Sequence, residues 1–294
     1  MGKASRRKRE HRSPGPRAEP GRGPAPHVAR PFEGLADETE WVAMREIVPS
    51  ATAVVTAALP GAGPREVTVA TVLPGGMPAL HRADGELLVA LQSRTSSGDA
   101  SRDLAQALVA ASNLEPGSPL PSVRPATLGS PRLQDLLADQ PLSVRVHEDF
   151  SFWAGGEEGK DDAARALEQA HETAVPTVKL EELPSAYWCQ MGERAYIRWV
   201  LAQDEDEATM ALARLQAADE HTLGSGTTLL GAFRAAGLLV PVFEVDPAAR
   251  PEEHTVSLVA MAGRYADALA VSDTLTPQER RARDGLVSRQ VTLR

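Results

Sequence analysis

The sequence has one cysteine, few aromatic residues and no long hydrophobic run. Cys189 stands alone among 294 residues, which excludes an intramolecular disulfide and any metal site built from several cysteines. A lone cysteine fits a reducing, cytoplasmic compartment. No segment approaches the roughly 18 apolar residues that a membrane span requires, and the residues after Arg12 lack the apolar core of a signal peptide. We therefore expect a cytoplasmic protein with no membrane contact.

The net charge of −9 combines two oppositely charged parts of the chain. Residues 1–30 carry nine basic and two acidic side chains, a net charge of +7, and the remainder carries −16. The same N-terminal stretch is rich in proline and glycine and has no Leu, Ile or aromatic residue. It cannot bury enough apolar surface to offset the entropy lost on ordering. The sequence thus predicts a disordered basic arm, residues 1–31, on an acidic body.

The basic cluster at the start of the arm predicts contact with a polyanion. Each lysine or arginine that neutralises a phosphate releases a counterion, so such contact is non-specific and sensitive to salt. RNA, DNA and the ribosome are the candidate partners, and a solvated arm without a dedicated partner is the alternative. The residues expected to bind are Lys3, Arg6, Arg7, Lys8, Arg9 and Arg12.

The body presents the same order of sequence patterns twice, which predicts an internal duplication. Strand patterns at Val67–Pro74 and Thr177–Pro184 are followed by hairpin patterns of equal length at Pro78–Gln92 and Cys189–Gln203. Each hairpin pattern leads through a polar loop into a helix rich in Ala and Leu. The first hairpin should turn at Asp84-Gly85, a favoured turn dipeptide.

A second pair of matching segments begins with Leu-Gly-Ser in both halves. Leu128–Glu148 and Leu223–Glu244 each predict a turn, a short helix, a helix stop and a strand. In the later segment, Gly224, Ser225, Gly226 and Thr227 form a candidate anion site. Free N–H groups at the start of the predicted helix would hold the anion. In the earlier copy Pro131 replaces Gly226, so the turn is structural in both copies and the anion site belongs to the second.

The predicted fold is therefore α+β, with two pseudo-repeated units and a C-terminal helical extension. Each unit has a small antiparallel sheet with helices on one face. Thr276, Pro277 and Glu279 form a capping box and predict the start of the last helix. The predicted organisation is an arm (1–31), a first unit (32–153), a linker (154–161), a second unit (162–248) and C-terminal helices (249–294).

Catalytic and cofactor-binding patterns are weak. The segment Ala154–Asp162 has the Gly-Lys of a phosphate-binding loop, but Asp161 stands where that loop needs Ser or Thr. The histidines lack the spacing of metal sites, and no nucleophile elbow occurs. His147 and Asp149 share one face of a predicted strand, so they are the best acid/base candidates, although a surface-facing pair is the simpler interpretation. We expect no cofactor and no metal.

Several motifs together resemble an uncharacterised actinobacterial family, domain of unknown function 5926. They are MGKASRRKR, EWVAMREIVPSATA, SGDASRDLAQAL, PRLQDLL, AYWCQMG, AAGLLVPVFEV and ERRARDGLVSRQVTLR. This resemblance implies no established activity or site residues. The sequence favours a non-catalytic binding or regulatory protein that contacts RNA, DNA or the ribosome through its arm. The alternative is an enzyme with its site in the groove between the two units, and the oligomeric state stays open.

Overall fold

The computed structural model describes residues 23–61, 63–94, 96–153 and 174–288, and these contain five α-helices and eleven strands. The helices are α1 (Glu38–Glu46), α2 (Ala100–Ala111), α3 (Glu205–Ala217), α4 (Thr255–Ala270) and α5 (Pro277–Ser288). The first sheet contains β1 (Ala51–Leu59), β2 (Gly63–Val72), β3 (Ala79–His81), β4 (Leu87–Gln92), β5 (Ser118–Leu120) and β6 (Arg145–Val146). The second contains β7 (Thr177–Lys179), β8 (Ala186–Met191), β9 (Arg194–Trp199), β10 (Thr228–Ala235) and β11 (Leu238–Val245).

The first sheet is mixed, with strand order β5-β3-β4-β2-β1-β6. After β2 the chain reverses at Pro74–Gly76 to form β3, and it reverses again to form β4. These two reversals give β4 the direction of β2, and it inserts between β2 and β3 in parallel with β2. The prediction of a purely antiparallel sheet is therefore wrong for this unit.

The second sheet is antiparallel throughout, in the order β10-β11-β9-β8-β7. Helices α3, α4 and α5 cover one of its faces, and α3 contacts both of the others. The antiparallel sheet and the helices on one face agree with the sequence prediction for this unit. No helix among the described residues is long and apolar enough to cross a membrane.

Most local predictions in the two halves are confirmed. The first predicted hairpin forms between β3 and β4, and the second forms between β8 and β9 with its turn at Gly192. Both Ala/Leu-rich helices form, as α2 and α3. The capping box of α5 is present: Thr276 N–H donates to Glu279 Oε2 at 2.6 Å, and Glu279 N–H donates to Thr276 Oγ1 at 3.3 Å.

The helix predicted after Gly226 is wrong. Residues Thr228–Ala235 form strand β10, which pairs with β11 across a two-residue turn at Ala236-Gly237. Both turn residues have positive φ, as the type I′ hairpin turn requires. The Leu and Phe spacing suggests a helix, but the extended run Leu238–Val245 offers a backbone partner that outweighs this local preference. The Ala-Gly turn was the sequence signal for the hairpin.

The predicted duplication is not confirmed. The order strand, hairpin, helix does recur, but β2 pairs in parallel with the second strand of its hairpin, whereas β7 pairs antiparallel with the first strand of its own. The final segments also differ. Leu128–Glu148 contains a 3₁₀ turn and the short strand β6, whereas Leu223–Glu244 contains most of a hairpin. The predicted linker, residues 154–161, lies outside the described residues.

The largest hydrophobic core joins the two sheets. It contains the inner face of the first sheet with α1 and α2, and also Tyr187, Phe233 and Val240 from the second sheet. The second sheet is therefore buried on both faces, against helices on one side and against this shared core on the other. The second unit has a core of its own beneath its helices, and the opposite face of its sheet contributes to the core of the first unit.

Residues 23–31, the last nine of the predicted arm, are packed against the body. Ala25 is buried and donates its N–H to Ala126 O, and Val28 N–H donates to Gly98 O at 3.0 Å. Arg30 forms ion pairs with Glu38 Oε1 at 2.6 Å and Asp204 Oδ1 at 2.5 Å. We call residues 23–34 the strap, because they connect the first sheet's helices to the start of α3.

A buried carboxylate makes a second link between the halves. Glu40 of α1 is only 5% exposed. It accepts hydrogen bonds from the Tyr187 hydroxyl and from Ser185 N–H, and Lys179 Nζ lies 3.1 Å from its Oε1. Burial, followed by the nearby Glu40 charge, raises the pKa of Tyr187, so its hydroxyl remains a donor. All three partners belong to the second sheet or its connecting loop.

We expect Glu40→Ala to lower the free energy of unfolding by about 3 kcal/mol or more, because it leaves the Lys179 ammonium and two donors without their acceptor. Urea denaturation measures this change. Glu46→Ala on the same helix is the control: this half-exposed side chain pairs with adjacent Arg45, and its removal should cost less than about 1 kcal/mol. Equal losses of unfolding free energy in the two variants would show that the Glu40 network stabilises the protein no more than an exposed ion pair does.

Gly237→Ala should displace the strap. A Cβ at this position would lie 2.8 Å from Ala29 O and 2.9 Å from Arg30 Cβ, and the residue has φ +86°. We expect a loss of about 1–3 kcal/mol in unfolding free energy and faster hydrogen exchange at Val28 N–H. Gly263→Ala, in α4 with open space around it, should instead stabilise the protein by about 0.5–1 kcal/mol. Unchanged exchange at Val28 would contradict the proposed packing.

Candidate functional site

A cavity of about 280 Å³ lies on the outer face of the first sheet. Buried and outward-facing side chains alternate along the segment Leu142–His147, as the sequence predicts, and this alternation places the cavity. Leu142 and Val144 are buried in the shared core, whereas Arg145 and His147 line the cavity on the opposite side. Strands β1, β2 and β4 supply the floor, and the 3₁₀ turn Ser151–Trp153 supplies one wall.

His147 is held in a fixed position within this cavity. Its Nε2 lies 2.7 Å from Thr52 Oγ1, and its ring lies 4.9 Å from the ring of Phe152. Its backbone N–H donates to Ser50 O at 2.9 Å. Burial and then the positive charge of Arg145 lower the pKa of His147, whereas Asp149 acts in the opposite direction. The imidazole is therefore biased toward its neutral form.

The facing wall contains a saturated ion-pair cluster. Arg82 pairs with both Asp84 and Glu86, and it donates to Phe152 O at 3.1 Å. Glu86 also accepts a hydrogen bond from the Thr68 hydroxyl. Burial is the largest single influence on the pKa of Arg82 and lowers it, but the hydrogen bonds and attraction to the two carboxylates together outweigh burial and raise the pKa. With two carboxylates against one guanidinium, this wall carries no excess positive charge.

The acid/base pair His147–Asp149 does not lie in the groove between the units. His147 lines the cavity on the outer face of the first sheet, Asp149 follows two residues later, and the second sheet packs on the inner side. Asp149 Oδ1 accepts the N–H of Ser151 at 2.8 Å, which caps the Ser151–Trp153 turn. These acid/base candidates therefore could not serve an enzyme site in that groove, because they lie on the side of the sheet that faces away from it.

The groove between the units is formed by other residues. A cavity of about 370 Å³ is lined by the strap, the Ala236-Gly237 turn, Arg45 and Arg234. Arg234 pairs with Glu205, and Arg45 pairs with Glu46. The two arginines that line the groove are thus already neutralised.

The candidate anion site at Gly224–Thr227 lies in an exposed loop ahead of β10. The Thr227 hydroxyl is used within the loop: it accepts from Leu223 N–H at 3.0 Å and donates to Gly224 O at 2.8 Å. The loop lines a cavity of about 610 Å³ that also contains the carboxylates of Glu244 and Asp246. Because a strand replaces the predicted helix, Gly224, Ser225, Gly226 and Thr227 have no helix dipole behind them, and the physical basis for this site is lost.

The predicted nucleic-acid-binding residues Lys3, Arg6, Arg7, Lys8, Arg9 and Arg12 lie outside the described residues. The point where the arm leaves the body is described. Leu128 N–H donates to Gly23 O, and the Arg102 guanidinium donates to Ser130 O beside it. Two arginines share one carboxylate there: Asp99, which is 1% exposed, pairs with Arg102 at 3.2 Å and with Arg132 at 3.6 Å. Arg132 also donates to Pro31 O at 2.8 Å, so this cluster holds the later part of the strap as well.

The family of unknown function DUF5926 matches residues 31–294. The chain belongs to this family. The match covers the body and residues 31–34 of the strap, whereas the basic motif MGKASRRKR lies outside it. No curated protein and no solved structure matches the chain. Membership in DUF5926 thus confirms the resemblance and adds no residue roles.

Sequence reasoning missed most of the cavity around His147 in this DUF5926 member. The strand alternation identifies Arg145 and His147, but Thr52, Thr68 and Arg82 lie 60 or more positions earlier in the chain. The antiparallel pairing of β1 with β6, in which Thr52 lies opposite Arg145, brings these distant segments together. No local pattern in the sequence connects them.

We expect Arg145→Gln to raise the pKa of His147 by removing a repulsive charge, and Asp149→Asn to lower it. Titration of the imidazole C–H signals by NMR measures both shifts. Because the folded pKa is below the unfolded one, the stability contributed by neutral His147 is lost as the pH falls below about 6.5. His254, whose pKa burial also lowers, serves as the control and should not respond to either variant. Shifts of equal size at His254 would contradict the assignment.

Proposed function

We propose that this protein is a non-catalytic binding or regulatory protein that contacts RNA, DNA or the ribosome through its basic arm. The observation that carries the proposal is the separation of charge, with +7 on residues 1–30 and −16 on the remainder. A phosphate polymer is attracted by the arm and repelled by the body. Contact is then confined to one end of the molecule.

The strap supports this proposal because it fixes the base of the arm. Hydrogen bonds from Leu128 and to Ala126 hold residues 23–25, so the chain before Gly23 starts from a defined point. A 22-residue arm reaches at most about 70–80 Å when fully extended. Beside this point the guanidinium of Arg102 donates to Ser130 O and pairs with the buried Asp99.

A cytoplasmic location is part of the same proposal. Cys189 is buried, and burial raises the pKa of its thiol. A buried, protonated thiol is a poor nucleophile and resists oxidation. This supports a structural role for the chain's one cysteine in a reducing compartment.

Removing residues 1–22 should abolish most binding to a single-stranded RNA oligonucleotide at low salt. For the intact chain, six phosphate contacts predict a slope near −4 in log K against log salt, which is a loss of about 300-fold between 50 and 200 mM. Fluorescence anisotropy at graded salt measures both quantities, and double-stranded DNA and purified ribosomes are titrated in parallel.

Two full-length variants test the electrostatic basis of this prediction. Replacing Lys3, Arg6, Arg7, Lys8, Arg9 and Arg12 with glutamine should reduce the affinity as strongly as the deletion. Scrambling residues 1–12 keeps the charge and should leave affinity and slope unchanged. If the deletion leaves all three partners bound as before, the arm is not the contact and the proposal fails.

A further inference from the structure

We propose that the cavity around His147 binds a small carboxylate that carries an apolar or aromatic body. The cavity is lined mainly by polar groups, and Val54 and Phe152 add apolar surface among them. Neither the family nor the proposed role of the arm assigns a ligand to it. The inference is independent of the polyanion contact, since the cavity belongs to the first sheet and not to the arm.

Arg145 supplies the charge that would hold the carboxylate. It is exposed, it lines the cavity, and no carboxylate in the described part of the chain forms an ion pair with it. It lies directly opposite Thr52 in the antiparallel pairing of β6 with β1, so its guanidinium and the Thr52 hydroxyl belong to the same face. The planar guanidinium suits bidentate binding of a carboxylate.

The charge balance favours a carboxylate over a phosphate. Arg82, the other cation in the cavity, is already paired with Asp84 and Glu86. With Arg145 included, two guanidinium groups face the two carboxylates of Asp84 and Glu86, and Glu86 lies on the cavity wall. A monoanion would be neutralised by Arg145, whereas the second charge of a phosphate dianion would face Glu86 without compensation.

Val54 and Phe152 give the cavity its apolar surface, and Thr68 lies between Val54 and Leu88 in the sheet. Val54 is 50% exposed although it lies within β1, a strand paired on both sides. Leu88 forms the floor, and the Phe152 ring stands at the wall beside the His147 ring. A hydrocarbon or aromatic ring placed here would cover Val54 and contact Phe152. The volume of about 280 Å³ lies at the small end of the range for ligand pockets, which points to a ligand of about ten non-hydrogen atoms.

His147 acts as a positioning residue in this arrangement. It contacts both the Thr52 hydroxyl and the Phe152 ring. Its imidazole signals should therefore respond when a ligand occupies the cavity, and they report binding directly.

Benzoate is the probe, titrated into the full-length protein while the His147 imidazole signals are followed by NMR. We expect saturable shifts with a dissociation constant near the millimolar range, as a ligand of about nine non-hydrogen atoms allows. Acetate, which lacks the ring, and inorganic phosphate should each bind at least about tenfold more weakly. Phosphate that binds as tightly as benzoate would overturn the choice of a carboxylate.

Arg145→Gln should weaken benzoate binding by about tenfold or more, because one charge-assisted contact is lost. Arg194→Gln is the matched control: it removes an exposed arginine from the second sheet and should leave the affinity unchanged. Val54→Trp should block the cavity by filling the space above this half-exposed position. No saturable shift in the wild-type protein, or equal binding by wild type, Arg145→Gln and Val54→Trp, would overturn the proposal.

Discussion

The buried carboxylate of Glu40 is the interaction on which the arrangement of the two sheets depends. A charge that is 95% removed from solvent is tolerated only when its lone pairs are satisfied. The satisfying groups come from Lys179, Ser185 and Tyr187, more than 130 positions later in the chain. Hydrophobic contacts between α1 and the second sheet are compatible with many relative orientations. The directional hydrogen bonds of Glu40 are satisfied in only one of these orientations.

The strap and the shared core reinforce this arrangement. Arg30 pairs with Glu38 and Asp204, so it lies between the start of α1 and the start of α3. Gly237 leaves space for the strap backbone where any side chain would collide with it. As a result, the base of the basic arm is fixed relative to both sheets, and the positive charge of the arm emerges at one place on an otherwise acidic molecule.

The candidate sites show which structural features a local residue pattern can predict and which it cannot. The alternation around His147 predicts which of its neighbours are buried and which line the outer face, because side chains alternate along a strand regardless of the rest of the fold. It does not predict that Thr52 lies opposite Arg145, because strand pairing is a long-range property. The turn at Gly224 illustrates the reverse case: without the helix that the pattern predicted, the same glycines no longer favour an anion.

The sequence by itself determined the α+β class, the hairpins at Gly85 and Gly192, the helices α2 to α5 and the separation of charge. Each depends on turn residues, helix caps or composition within a short window. Only the tertiary structure decided the parallel pairing of β2 with β4, the strand at Thr228–Ala235 and the core shared by both sheets. In those places several local conformations are close in free energy, and contacts between distant segments select one of them.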